Sequence, residues 1–261
     1  MIQKTTGIVL RIVPFSRTSH VIQWLTSSHG RIATIAKGAQ RPKSMLLGQY
    51  DLFYTCEILF YVRERTGLHV LRECSPLAAR PEMRRRWRAA FCASYLCSLA
   101  AHVTPDGGHY PELRDLLERG LDFLAQADPT PAFLHWFELQ MLGALGVAPR
   151  LRECAACGTA IAPSTERAPF LRSRGGVLCR ACASARPGAT PSVGPDVLAI
   201  LQSWQSCATA DVAQRVQCTD DQWREAGGVL RAFLQYHLEE DSPAGAIAAG
   251  LLRAHPAPPA A

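Results

Sequence analysis

Residues 50–63 read YDLFYTCEILFYVR, and their alternation decides the first third of the chain. Tyr50, Leu52, Tyr54, Cys56, Ile58, Phe60 and Val62 are all apolar or aromatic, while Asp51, Phe53, Thr55, Glu57, Leu59, Tyr61 and Arg63 are mixed. A period of two with one apolar face predicts a strand that lies on a core and leaves its other face partly wet. Toward the N-terminus, Ile8, Leu10 and Ile12 alternate with Val9, Arg11 and Val13. His20 to Leu25 then leads through Ser27-Ser28-His29-Gly30 into Arg31 to Lys37, a hairpin pattern. Toward the C-terminus, a turn at Glu64 to Gly67 returns the chain along Leu68 to Cys74. Five short strands within residues 1–78 predict a small closed barrel of the OB-fold type.

Between Pro76 and Pro81 the apolar period changes from two to 3.6. Trp87, Phe91, Tyr95, Leu99 and Val103 fall four apart, and Leu113, Leu116, Leu117, Leu121 and Leu124 mark a second helix. A third runs from Thr130 as N-cap and Pro131 in the first turn to Gly146 as its stop. Two more are predicted from Pro195 to about Ser206 and from Asp220 to Glu239. Residues 150–190 follow neither period and are rich in Gly, Pro, Cys and Arg, which marks an inserted loop-rich module. The chain is therefore read as an α+β multidomain protein. A barrel occupies 1–78, and a helical domain with its insert occupies 79–240. An Ala/Pro-rich tail at 241–261 is expected to be disordered or at best briefly helical.

The 261 residues carry a formal charge of +6, and its distribution matters more than its size. Residues 1–80 hold 11 Lys and Arg against 4 Asp and Glu, for +7, so the remainder is at −1. A segregated excess of this kind predicts a surface that meets polyanions. MIQKTTGIVLRIV lacks an apolar segment before a cleavage site, and no apolar run is long enough to span a bilayer. The expectation is a cytoplasmic, nucleoid-associated protein without a membrane partner. Without a secretory context the ten cysteines do not read as a disulfide framework. Cys56, Cys74, Cys92, Cys97, Cys207 and Cys218 sit in apolar patterns and read as small hydrophobes.

The other four pair as Cys154-Ala-Ala-Cys157 and Cys179-Arg-Ala-Cys182, with 21 residues between the pairs. Each pair can turn two thiolates toward one point, and four sulfurs close a tetrahedral Zn²⁺ site with no position left for an activated water. One structural zinc is predicted. Arg150, Arg152, Arg172, Arg174, Arg180 and Arg186 surround it in sequence, either as a secondary DNA contact or as a solvated face.

Lys37-Gly38-Ala39-Gln40-Arg41-Pro42-Lys43-Ser44 lies between two predicted strands and places three cations on one loop, where an OB barrel meets single strands. Arg11, Arg17 and Arg31 add to that surface. Phe15, Trp24, Phe53 and Tyr61 are candidate stacking platforms, although core positions suit most of them better. Arg84-Arg85-Arg86-Trp87-Arg88 would extend the basic surface if Arg84 and Arg88 shared one helical face and Trp87 turned inward. No phosphate-cradling Lys-Ser/Thr loop, HExxH or nucleophile elbow occurs, and the eight histidines are scattered, so no catalytic residues are assigned.

Gly7-Ile8-Val9-Leu10, Thr34-Ile35-Ala36-Lys37-Gly38-Ala39 leading to Arg41-Pro42-Lys43-Ser44, and a CxxC pair inserted among helices occur here in one order. In this the chain resembles the bacterial RecO family over roughly residues 1–240. The resemblance implies an OB-fold, a helical domain and a zinc module, and a DNA-repair function without catalytic turnover. It further implies binding of single- and double-stranded DNA and strand annealing. The partners it implies are the C-terminal tail of single-stranded-DNA-binding protein and RecR, with RecA loaded as the outcome. A zinc-ribbon OB protein acting on RNA or in translation is the alternative from another class.

Overall fold

The computed structural model describes residues 1–63, 67–162, 164–185, 191–239 and 244–254. Five strands open the chain: β1 (Ile2–Ser16), β2 (Ser19–Thr26), β3 (Arg31–Ala36), β4 (Thr55–Tyr61) and β5 (Leu68–Ala78). They close in the order β1-β2-β3-β5-β4, with β4 returning to β1. Every pairing is antiparallel except β3 with β5, which is parallel from Ala33 opposite Leu68 to Ile35 opposite Val70. This is the barrel expected from the alternation, and closure leaves no free sheet edge. Its interior is filled by Val9, Ile22, Trp24, Ile58, Phe60 and Leu71, among others. Trp24 is fully buried, and its indole N–H donates to Thr34 Oγ1 at 2.8 Å, so its polar end is satisfied inside the core.

The predicted strand over Tyr50–Arg63 is shorter than its pattern. Tyr54 N–H donates to the Asp51 carbonyl in a turn, and Phe53 takes a φ of +69°. β4 begins only at Thr55. Leu52 is exposed where strand alternation would bury it, while Tyr50 is buried and its hydroxyl meets His20 Nδ1 at 3.0 Å. Glu64 to Thr66 of the expected turn lie outside the described residues.

Two compact units emerge, Met1–Asp128 and Pro129–Ala261. The first joins the barrel to α1 (Trp87–Val103) and α2 (Pro111–Gln126), so these helices group with the barrel rather than with the helices that follow. Arg80 ties this unit together from the connector after β5. Its side chain is almost fully buried, with Nη1 donating to the Phe53 carbonyl at 2.7 Å and Nε donating to Asp122 Oδ1 on α2 at 2.7 Å.

The second unit holds α3 (Pro131–Ala144), the short strands β6 (Ala168–Leu171) and β7 (Gly176–Val177), α4 (Arg180–Ser184) and β8 (Ser192–Val193). It continues with α5 (Pro195–Ser206), α6 (Ala210–Ala213), α7 (Asp220–Leu238) and α8 (Ala244–Ala254). Helix α3 is buried almost all round, as expected for a central helix. Helix α7 starts with a capping box, Thr219 Oγ1 accepting from Gln222 N–H while the Gln222 side chain accepts from Thr219 N–H. Residues 244–254, read from sequence as part of a disordered or briefly helical tail, form α8, which packs against α3 and α7. Alanine is the strongest helix former, and Ala248, Ala249 and Leu252 supply a buried stripe that composition alone conceals. Residues 255–261 lie outside the described residues. No helix among the described residues is long and apolar enough to cross a membrane.

Candidate metal centre and nucleic-acid interface

The first cysteine pair sits in a tight knuckle. Gly158 N–H donates to the Cys154 carbonyl at 2.8 Å, and Gly158 takes a φ of +76°, a conformation that glycine adopts without strain. Ala155 N–H donates to the Val177 carbonyl at 2.8 Å, which fastens this knuckle to β7 two residues before Cys179. Gly176 makes that approach possible: a Cβ there would stand 2.1 Å from the Arg150 carbonyl oxygen. Cys179 then caps α4, and Cys182 lies in its first turn.

The result is a gathering of Cys154, Cys157, Cys179 and Cys182 whose sulfurs all lie within 4.8 Å of one another, and this cluster can hold a metal ion. Cys157 Sγ is 3.8 Å from Cys179 Sγ. Four thiolates at the Zn–S length of about 2.3 Å around a tetrahedral ion would be spaced by about 3.8 Å, so the donor set fits. Among the described residues no other group of three such side chains converges.

The electrostatics agree. Burial pushes the Cys154 thiol up, but backbone N–H groups of Cys179, Cys157 and Ala156 more than offset it and hold it at about 6. Hydrogen bonding to Thr159 lowers Cys157, whereas hydrogen bonds within the cluster, to Cys179 and then Cys157, push Cys182 up to about 12. Four sulfurs this close cannot all be ionised unless a cation sits among them. Of the surrounding arginines, Arg150, Arg152, Arg172, Arg174 and Arg180 are exposed, and Arg186 lies outside the described residues.

The second site is one edge of the barrel. Lys37, Arg41 and Lys43 are exposed on the loop that leaves β3, and that loop is anchored rather than free, because Ala39 and Leu46 are buried in the barrel core. Gly38 N–H donates to Ser19 Oγ at 3.1 Å and Gln40 N–H to the Thr18 carbonyl at 3.1 Å, so the loop is fastened to the β1–β2 turn, where Arg17 is also exposed. Arg11 is exposed on β1. None of these five cations makes an ion pair among the described residues. No carboxylate precedes Asp51 in the sequence, so none from residues 1–50 opposes them. An edge of this kind offers several cations to a phosphate backbone.

Residues 1–80 match the family model for Recombination protein O N terminal, and residues 84–244 match the one for Recombination protein O C terminal. The chain belongs to the recombination protein O family. Its relatives include the DNA repair protein RecO of Anaeromyxobacter dehalogenans strain 2CP-C, 33% identical over 237 residues, which span 90% of this chain and 91% of the relative. The DNA repair protein RecO of Geobacter metallireducens is 31% identical over 235 residues, 90% of this chain and 92% of the relative. That of Desulforudis audaxviator is 30% identical over 240 residues, 91% and 92%. Family membership supports a role in DNA repair.

Within this RecO-family chain, three of the arginines chosen from sequence are engaged in its own fold. Arg31 donates from Nη1 to the Ala101 carbonyl at 3.0 Å and pairs through Nη2 with Asp106 at 3.0 Å, which binds β3 to the end of α1. Arg84 pairs with Asp51 and lies over the Tyr54 ring. The expectation that Arg84 and Arg88 share a face while Trp87 turns inward is reversed. Trp87 is 52% exposed and Arg88 only 6%. The reason is Arg86, whose extended backbone separates the 3₁₀ turn Pro81–Arg85 from α1, so the five residues never form one helix. Arg86 donates to the Leu124 carbonyl at 2.6 Å and pairs with Asp128 at 3.5 Å. Arg85 is exposed. Of the candidate platforms, Trp24 is core, Phe53 and Tyr61 are half-buried, and Phe15 stands in solvent. The Arg80 clamp went unpredicted. Its one sequence signal is the pair Glu118 and Asp122, four apart on an otherwise amphipathic helix.

Proposed function

We propose that this chain is a non-catalytic recombination mediator that binds DNA through its N-terminal barrel, residues 1–78, while the helical region, residues 79–240, carries partner contacts. The observation that supports it most is the unopposed edge formed by Arg17, Lys37, Arg41 and Lys43, with Arg11 and Arg85 as further exposed cations. Cations on phosphates position a strand without reading bases, so binding should extend to single and double strands of any sequence. Neutralising two phosphate backbones on one surface also favours the annealing of complementary strands, because it removes the repulsion between them.

In this reading, annealing and the loading of RecA, together with RecR, onto strands covered by single-stranded-DNA-binding protein are the protein's activities. A cavity of about 500 Å³ within the C-terminal unit, lined by Phe170, Leu171, Val229 and Tyr236, by Arg172 and by Glu225, whose carboxylate is paired with Arg167, could take the acidic, apolar-ended tail of that binding protein. The metal is zinc, one per chain and structural, because four cysteine sulfurs leave no open position. It would hold the two knuckles together and take no part in annealing.

The test is annealing of complementary fluorescent strands by the purified protein, with and without the binding protein coating them. Acceleration of both, lost when Lys37, Arg41 and Lys43 are replaced together by Ala, is the expected result. Absence of annealing, with tight binding confined to structured RNA, would replace this reading.

A further inference from the structure

We propose that Phe15 is the base-stacking platform of the barrel edge and the residue that distinguishes single from double strands there. The proposal rests on the reading of that edge as the phosphate-binding surface, and it adds a group that recognises unstacked bases.

Strand β1 pairs with β2 in regular register from Arg11 opposite Gln23 to Pro14 opposite His20, and the next pair is Ser16 opposite Ser19, so Phe15 is the extra residue of a β-bulge. A bulge re-aims a side chain that regular pairing would place on a sheet face. Here it delivers a phenyl ring to solvent, 61% exposed, while the aromatic residues Trp24 and Phe60 of the same barrel are fully buried. Placement at the turn, not lack of core space for aromatics, accounts for that exposure.

What surrounds the ring gives it a role. Arg17 follows two residues later and is exposed. Thr18 and Ser19, the next two residues, accept the hydrogen bonds from Gln40 and Gly38 that fix the cationic loop. The aromatic bulge and the three loop cations therefore share one fastened edge. An exposed aromatic interleaved with cations is how proteins hold single strands without reading sequence, since every base has a face to stack and every phosphate a charge to pair. In a duplex each base face is already covered by its neighbours, so the ring gains nothing from it.

The experiment measures affinity for a homothymidine single strand and for a duplex of equal length, at several salt concentrations, with the full chain. Phe15→Ala should bind the single strand about tenfold more weakly, with duplex affinity and the salt slope unchanged, because stacking releases no counterions. Phe15→Trp should keep or exceed the original single-strand affinity. Ultraviolet cross-linking to the homothymidine strand should place a thymine adduct on residue 15. Equal loss on both substrates, or wild-type single-strand affinity in Phe15→Ala, overturns the proposal. The latter outcome, with a flattened salt slope in the Lys37/Arg41/Lys43 triple, leaves the phosphate reading standing and reassigns the exposed ring to a protein contact. An unchanged slope in that triple together with an unaffected Phe15→Ala removes both readings.

Discussion

The barrel and the cysteine module solve the same problem, the ordering of short strands, by opposite means. In residues 1–78 five strands satisfy one another's backbone groups around a closed cycle and enclose a core of Val, Ile, Leu, Phe and Trp. In residues 150–193 the strands β6, β7 and β8 are four, two and two residues long. So short a sheet buries little apolar surface, and four converging sulfurs stand where the barrel has its core. The barrel should therefore be stable on hydrophobic burial alone, whereas the module's order should depend on a metal.

Metal removal tests that contrast with the largest expected effect. A strong chelator, or Cys154→Ser or Cys179→Ser, should abolish zinc binding, which in such sites has an apparent free energy of about 10–16 kcal/mol. Amide exchange should then become fast across 150–185 and stay slow in β1 to β5. Thiol titration supplies a second readout. Burial pushes Cys92 and Cys97 up to about 12, and a hydrogen bond with Cys56, then burial, raises Cys74, so none forms a thiolate near neutral pH and all should stay unreactive in the folded protein. Chelation should expose only the four cluster thiols. Full zinc retention in both serine variants, or loss of barrel protection together with the module, would break the comparison.

Arg80 probes the barrel unit from the other side, since there a buried cation joins distant elements, as a metal could join the two knuckles of the module. Arg80→Ala leaves the Phe53 carbonyl without its donor and Asp122 without its partner. Breaking a buried pair destabilises strongly, but the Asp122 side chain is half exposed and rehydrates, so the expected loss is roughly 2–3 kcal/mol. Urea unfolding of the full chain, followed by amide protection in β1 to β5, should show it. A loss below about 0.5 kcal/mol would mean that the clamp contributes no more than a surface pair.

The same contrast explains what could be read from the sequence. The cysteine site was legible because its information is local: one CxxC spacing defines each knuckle, Gly158 turns the first, and convergence needs only a loop long enough to return. The strands were legible from alternation, but the parallel pairing of β3 with β5 was not, because no periodicity records which strand closes a barrel. The helices α3 and α5 announced their starts through Pro131 and Pro195, and α7 showed itself by its apolar period, whereas α8 hides in an alanine-rich stretch. Arginine was the least legible residue. Charge counting cannot tell Arg41, which faces water, from Arg80 and Arg88, which are buried, because that difference depends on carbonyls and carboxylates brought in from distant elements.

That distinction sharpens into a prediction about DNA. Lys37, Arg41 and Lys43 are exposed and make no ion pair among the described residues, so replacing all three by Ala should weaken binding to every sequence. On single strands each lost contact flattens the plot of log affinity against log salt by about 0.7, and three contacts predict a change near two. A triple variant with the original slope would move the site away from this edge, most directly to the exposed arginines of the cysteine module.

Arg31 and Arg88 should show the smallest effect, and they separate charge from availability. Both lie in or beside the basic stretches that suggested DNA contact, yet Arg31 is held by the Ala101 carbonyl and Asp106, and Arg88 is 6% exposed. A guanidinium already paired to a carboxylate is not free to neutralise a phosphate and release its condensed counterion, and a buried one cannot reach a phosphate without unfolding its surroundings. Arg31→Gln and Arg88→Gln should therefore lower the unfolding midpoint, since each removes a buried or half-buried polar anchor. Neither should change the salt slope of single-strand binding, whereas a real phosphate contact at either position would flatten it by about 0.7. A flattened slope in either variant would mean that the first unit rearranges on DNA to free that side chain. Fold stability and DNA binding would then draw on the same arginine.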